Sequence, residues 1–309
     1  MKIGIPNKAF SKNLQLINQL KTLDCEIKLN IEDKRFEGKE LIDFLYDCDI
    51  AIIGLENINE SILKYLPKLK FISKFGVGMN NINLNDIELF KVKFSVTSGV
   101  NKRAVSEITL SFILSLIRNT HKTSIELKSG VWNKNGGFGL SALKVGILGF
   151  GNIGQDLVKL LAPFETTILV NDIVEIDPKK YNHKINVVTK ERLYKESDII
   201  TLHLPLTSET YNLINQKVFS VMKKGSFLVN TSRGGIVNEK DLYDAIQNKI
   251  ISGVALDVFE NEPPTFIELI RDERVICTPH IAGNSDQAVL NMGKACIENI
   301  KIYLSQNEI

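Results

Sequence analysis

Arg233, Glu262 and His280 have the side-chain types of a proton-transfer site, and each stands at or just past the end of an apolar run. Arg233 comes in "FLVNTSRGGIVNEKDL", Glu262 in "VALDVFENEPP" and His280 in "RVICTPHIAGNSD". An arginine offers a planar fork that pairs with both oxygens of a carboxylate. A histidine gives and takes a proton near neutral pH, and a carboxylate beside it orients the ring and favours the imidazolium. Singly, each has a plain explanation. A loop arginine is commonly a surface charge, an acid before Pro263 and Pro264 a solvated turn, and a strand-end histidine a structural group. Placed together on one edge of a cofactor-binding sheet, they describe hydride transfer at a 2-keto or 2-hydroxy acid. Arg233 then holds the carboxylate and polarises the carbonyl, His280 protonates the forming alkoxide, and Glu262 raises the histidine pKa. Of the other histidines, His203 ends a run at "HLPL" and reads as cofactor wall. His121 and His183 lie in polar segments and read as solvated.

The cofactor signal is "KVGILGFGNIGQDLVKLLA", with Gly149, Gly151 and Gly154 in G-x-G-x-x-G spacing between an apolar strand and an amphipathic helix. The first glycine permits the tight turn, the second admits a pyrophosphate to the backbone, and the third lets helix and strand touch. Free N–H groups and the helix dipole favour the phosphate charge. The next apolar run, "TTILVND", ends at Asp172. An acid there accepts from a ribose 2′-OH and repels a 2′-phosphate, so NAD is expected rather than NADP. S-adenosylmethionine uses a similar turn and acid, but the rest of the chain argues against a methyl donor.

These residues need a scaffold of parallel strands. "KIGI", "CDIAIIG", "KFISKFG" and "VKFSVTS" form one series of short apolar runs. "LKVGILG", "TTILVND", "SDIITLHL", "GSFLVNTS", "SGVALDVF" and "RVICTPH" form a second. Continuous rather than alternating hydrophobicity predicts strands covered on both faces, hence two α/β domains with doubly wound parallel sheets. Between the series, "NKRAVSEITLSFILSLIRN" has apolar residues at helical spacing and a broad apolar side, which predicts a heavily buried helix. "ELKSGVWNKNGGFGL" reads as an irregular connection. A long C-terminal helix is expected from "SDQAVLNMGKACIENIKIYL", capped by Ser285 and returning to the first domain, and Asn238 is expected to cap the helix after Arg233.

Composition sets the outer bounds. A chain of 309 residues with 44% hydrophobic and 24% charged residues is globular and long enough for two domains. A net charge of +2 gives no field for nucleic acid or a membrane surface. The four cysteines are scattered without metal-ligand spacing, so reduced thiols and no metal are expected. The start "MKIGIPNKAF" lacks the apolar core of a signal peptide, and a cytoplasmic location is the expectation.

Several segments resemble the D-isomer-specific 2-hydroxyacid dehydrogenase family: "LGFGNIGQ", then "HLPLTSETYNLINQKVFSVMKKGSFLVNTSRGGIVNEKDLYDAI", then "GVALDVFENEPP" and "TPHIAG". The order is preserved over most of Phe71 to Gly283, and the first seventy residues are much less distinctive. The resemblance implies a Rossmann cofactor domain at 99–284 inserted into a flavodoxin-like substrate domain at 1–98 and 285–309. It places the catalytic roles on Arg233, Glu262 and His280. Cofactor contacts fall on Asn152 and Ile153 beside the glycines, and on Thr231, Asp257 and Gly283. Val77 and Gly78, in "KFGVGMNNINL", are the implied amides for a substrate carboxylate; Asn80 and Asn83 stand where the family commonly has aspartate. Asn101 and Glu107 make "TSGVNKRAVSE" most similar to the phosphoglycerate dehydrogenase branch, where Lys74 occupies a position often cationic for a substrate phosphate. The implied activity is NAD-dependent, of the EC 1.1.1 class, on D-3-phosphoglycerate and 3-phosphooxypyruvate as in serine biosynthesis. The alternatives are a glyoxylate, hydroxypyruvate or other 2-keto acid reductase and, from a different class, an NAD(H)-sensing binding protein without turnover. Glu262 argues against the formate dehydrogenase branch, which replaces it. A homodimer joined through the cofactor domains is also implied, with the helix after Asn101 contributing.

Overall fold

In a computed structural model that describes residues 1–306, the chain divides into two compact units. One is Met1–Asn101 with the segment from Asn284 onward; the other is Lys102–Gly283. The first holds β1 (Lys2–Ile5), β2 (Glu26–Leu29), β3 (Ile50–Ile53), β4 (Phe71–Lys74) and β5 (Lys93–Ser95), all parallel, in the order β2-β1-β3-β4-β5. That is the flavodoxin-like order. Every residue of β3 and β4 is buried, the consequence of helices on both faces. The edge strand β2, "EIKL", has no fully buried residue, so a search for continuous apolar runs passes over it.

The helix Asp286–Ser305 belongs to this first unit. The Ser285 side chain caps it by accepting from the Ala288 N–H at 3.2 Å. It lies on β4: the Phe71 and Tyr303 rings stack at 4.4 Å, the Ser73 hydroxyl donates to the Cys296 carbonyl at 3.4 Å, and the Cys296 thiol donates to the Lys74 carbonyl at 3.3 Å.

The second unit holds β6 (Lys144–Leu148), β7 (Thr167–Asn171), β8 (Asn186–Val187), β9 (Ile199–Leu202), β10 (Ser226–Asn230), β11 (Ile251–Leu256) and β12 (Val275–Cys277). They are parallel in the order β12-β11-β10-β9-β6-β7-β8. The strand order reverses between β6 and β9, and a ligand crevice opens beyond the carboxyl ends of strands at such a switch point. β8 is a two-residue edge strand that the apolar pattern also missed. The helix Lys102–Ile117 is as buried as its sequence predicts: Val105, Phe112, Ile113, Leu116 and Ile117 are enclosed, and it lies against the helix Asn152–Leu161 and against β10 and β11. Burial of such side chains stabilises by roughly 1.5–3 kcal/mol each. The connection that follows is irregular from 129 to 139, as expected, and only its first residues, Glu126 to Lys128, continue the helix Thr120–Lys128.

Candidate active site

The Gly-rich turn sits where β6 ends. Gly149 has φ +94°, and a Cβ there would collide with the His203 carbonyl at the end of β9. Only glycine satisfies both constraints. A Cβ on Gly154 would strike the Gly149 carbonyl, whereas one on Gly151 would meet nothing within 4 Å, so the backbone at Gly151 faces open space. The helix Asn152–Leu161 begins here, and its first return bond runs from the Gln155 N–H to the Gly151 carbonyl at 3.0 Å. The amides of Asn152, Ile153 and Gly154 therefore have no acceptor within the helix. Asp172 follows β7; its Oδ2 accepts from the Phe150 N–H at 2.5 Å and its Oδ1 from the Val174 N–H at 2.9 Å. An ionised carboxylate has about four acceptor sites, so roughly two remain. Open space at Gly151, unclaimed amides at a helix N-terminus and an acid at the next strand end fit the pyrophosphate and adenosine ribose of NAD.

His203 closes the turn. Its Nε2 lies 3.0 Å from the Thr201 hydroxyl, and its Nδ1 is buried without a hydrogen-bond partner among the described residues. Burial pushes its pKa down to about 3, so the ring is neutral at any physiological pH and does not serve as a proton carrier. The Thr231 hydroxyl pairs with that of Thr109 at 2.9 Å, inside the core.

Three loops beyond β10, β11 and β12 carry the ionisable residues. His280 Nδ1 lies 2.7 Å from Glu262 Oε2. Because an ionised carboxylate only accepts, Nδ1 carries the proton and Nε2 is the nitrogen left for exchange. The other Glu262 oxygen accepts from the Phe259 N–H at 3.2 Å, which fixes the carboxylate on its own loop. Arg233 is half-buried; desolvation lowers its pKa, and the nearby charge of Glu262 acts in the opposite sense. The Arg233 carbonyl accepts from the Asn230 amide at 2.9 Å, and the Asn238 side chain caps the next helix through the Asp241 N–H at 2.9 Å, as predicted.

His280 has φ +54°, a backbone conformation that costs a non-glycine residue energy and persists only where its surroundings impose it. Asp257 imposes it. This residue is 0% exposed at the end of β11, and its carbonyl accepts from the His280 N–H at 2.9 Å. Its Oδ1 accepts from the Thr278 hydroxyl at 2.5 Å and the Ile281 N–H at 2.8 Å, and its Oδ2 from the Ala282 N–H at 2.8 Å. Sequence reasoning placed Asp257 at the cofactor and missed this hold on the histidine loop. The signal was an acid ending the apolar run "SGVAL", since a buried carboxylate must be satisfied by nearby donors.

The substrate-side residues lie in the first unit. Val77 and Gly78 are half-buried in the bend after β4, and neither amide is engaged by another described residue. Asn83 Oδ1 caps the helix Leu84–Leu89 by accepting from the Asn85 and Asp86 N–H groups, work an aspartate would do equally. Asn101 keeps a buried Oδ1 without a hydrogen-bond partner among the described residues. Lys74 is 5% exposed, so it is no solvated surface charge. Its ammonium donates to the Gly54 carbonyl beside the buried carboxylate of Glu56, which accepts from the Gly54 N–H at 2.7 Å. Among the described residues no group of His, Cys, Asp and Glu could hold a metal ion, and no helix is long and apolar enough to cross a membrane.

Residues 110–282 match the family described as D-isomer specific 2-hydroxyacid dehydrogenase, NAD binding domain. A hydroxypyruvate reductase of Thermotoga maritima is 31% identical over 88% of this chain and 90% of its own length. A D-3-phosphoglycerate dehydrogenase of Bacillus subtilis is 32% identical over 84% of this chain, which spans only 50% of that protein. Among solved structures, a D-lactate dehydrogenase of Aquifex aeolicus complexed with NAD and lactic acid superposes with a TM-score of 0.85 at 25% identity, over 99% of this chain and 96% of that one.

Proposed function

Because the chain belongs to the D-isomer-specific 2-hydroxyacid dehydrogenases, a family that uses NAD, we propose that it interconverts a small 2-keto acid and its D-2-hydroxy acid. The observation that carries this reading is the 2.7 Å pairing of His280 Nδ1 with Glu262 Oε2, in the unit that also bears the glycine turn. When bound at the glycine turn, NADH would supply the hydride for the substrate carbonyl carbon, and NAD would accept it in the reverse direction. Arg233 pairs with the substrate carboxylate through a half-buried guanidinium, whose partial desolvation strengthens the contact. His280 passes the proton on Nε2 to the carbonyl oxygen as negative charge develops there, while Glu262 holds the opposite face of the ring. Within the first unit, Val77 and Gly78 offer amides suited to a carboxylate, and within the second Gly149, Gly151, Asn152, Ile153, Gly154, Asp172, His203, Thr231 and Gly283 would hold the dinucleotide.

The substrate readings part at Lys74, the cation on which a phosphate-binding expectation rests. Its ammonium is spent on the Gly54 carbonyl beside Glu56, which favours an unphosphorylated acid such as glyoxylate or hydroxypyruvate. The D-3-phosphoglycerate reading is supported by Asn101 and Glu107 and by the Bacillus relative. A panel of 2-keto acids with NADH separates them: kcat/KM is expected to be at least about tenfold higher for hydroxypyruvate than for 3-phosphooxypyruvate, or about 1.4 kcal/mol in transition-state stabilisation. The reverse ratio makes the phosphorylated acid the substrate, and no turnover with any acid despite NADH binding removes the dehydrogenase reading.

The homodimer belongs to the same proposal. The helix Thr120–Lys128 has no buried residue, and Ile125, Leu127, Val131, Trp132 and Phe138 are all exposed, a patch suited to a second copy of the chain.

A further inference from the structure

The loops bearing Arg233 and Glu262 are joined by two glutamates to which the reaction assigns no part. The Glu260 N–H donates to Glu239 Oε1 at 2.7 Å, and the Glu239 N–H donates to Glu260 Oε1 at 3.0 Å. Glu239 is 8% exposed and opens the helix Glu239–Gln247, so the Glu260 carboxylate satisfies a helix N-terminal amide that has no partner within the helix. Gly234, next to Arg233, is pressed against the same loop: a Cβ there would collide with the Phe259 carbonyl. Phe259 in turn donates its N–H to Glu262. A path of direct contacts thus runs from Arg233 through Gly234, Phe259 and Glu262 to His280, and the reciprocal bonds close it from the other side.

We propose that Glu239 and Glu260 act as a positioning pair that fixes the spacing of Arg233 and Glu262, a role that rests on the dehydrogenase reading above. Neither touches the reacting atoms. Each holds the other's backbone through one carboxylate oxygen, so what matters is an acceptor at Oε1. A glutamine keeps that acceptor and an alanine removes it.

The test compares Glu239→Ala, Glu239→Gln and Glu260→Ala with the wild type by steady-state kinetics on the best 2-keto acid, NADH titration and hydrogen exchange of the Phe259–Glu262 amides. Glu239→Ala is expected to lower kcat about tenfold or more, with NADH affinity within about twofold, since misplacement near 1 Å costs on that scale. The Glu260 amide should exchange faster in the same variant. Glu239→Gln should recover kcat to within about threefold of the wild type and restore slow exchange. Should Glu239→Ala not fold, Glu260→Ala removes the other half of the pair from an exposed position; the same loss of kcat is expected, with faster exchange now at the Glu239 amide. Wild-type kcat in the alanine variants overturns the proposal, as does a glutamine variant as slow as alanine. Wild-type protein that reduces no 2-keto acid sinks the dehydrogenase reading instead; amide exchange then decides the clamp by itself.

Discussion

At the scale of single residues, His280 is set by what surrounds it. A left-handed backbone, the Asp257 carbonyl and carboxylate, and Glu262 across the ring leave it one orientation. If it moves a proton, His280→Ala should lower kcat by about 10²–10⁴ while NADH affinity changes little. Stopped-flow reduction and NADH fluorescence titration check this, and a parallel loss of both would make the residue structural. The three ionisable residues were legible in the sequence because each ends an apolar run, and strand ends deliver side chains to one sheet edge. Glu239, Glu260 and the hold of Asp257 on its loop were not legible. Their partners lie 21 to 25 positions away, at distances no periodicity encodes. The surroundings of Lys74 were hidden for a related reason: nothing beside it in the sequence announces the Gly54 carbonyl, 20 positions away.

At the scale of elements, continuous apolar runs found the buried strands and passed over β2 and β8, whose short edge positions give little for a hydrophobic pattern to show. The strand that delivers His280 is itself short, and its entry is held by polar contacts. The Arg274 guanidinium donates twice to Asp272, at 2.8 Å to Oδ1 and 2.6 Å to Oδ2, and once to the Ile246 carbonyl at 2.8 Å, tying the turn before β12 to the helix Glu239–Gln247. The Arg274 guanidinium lowers the Asp272 pKa to about 2. A carboxylate depressed by folding contributes stability above its unfolded value near 4 and loses it as the pH falls through about 2. Discounted for solvent screening, the contribution is about 1–2 kcal/mol at neutral pH. Arg274→Met should therefore lower the urea midpoint at pH 7 and narrow its gap to the wild type as the pH drops from about 4 towards 2. A gap that does not change with pH would assign the effect to the Ile246 contact rather than to the ion pair.

At the scale of the whole molecule, the chain buries large cores in both units yet leaves one apolar run in water. Trp132 is 77% exposed and Phe138 57%, beside a helix with no buried residue. Apolar side chains scattered singly over a surface need no explanation, but five gathered within Ile125 to Phe138 do. Aromatic residues are the type that anchors interfaces, and a stable dimer removes about 1,200–2,000 Å² from water in total. At one point of "NGGFGL" the backbone passes hard against the preceding helix. Gly137 has φ +64°, and a Cβ there would collide with the Ile117 carbonyl at the end of the helix Lys102–Ile117, so Phe138 is presented from an anchored backbone rather than a loose loop. A dimer is thus expected at micromolar concentration, and Trp132→Asp with Phe138→Asp should convert it to monomer. Both side chains are exposed in the single chain, so the double variant should keep its thermal midpoint as a folded monomer within a few degrees, apart from the stability the partner adds by mass action. Sedimentation velocity across a concentration series reads the outcome. A wild type that sediments as a monomer throughout, or a double variant that remains dimeric, would remove the second copy as the occupant of this surface.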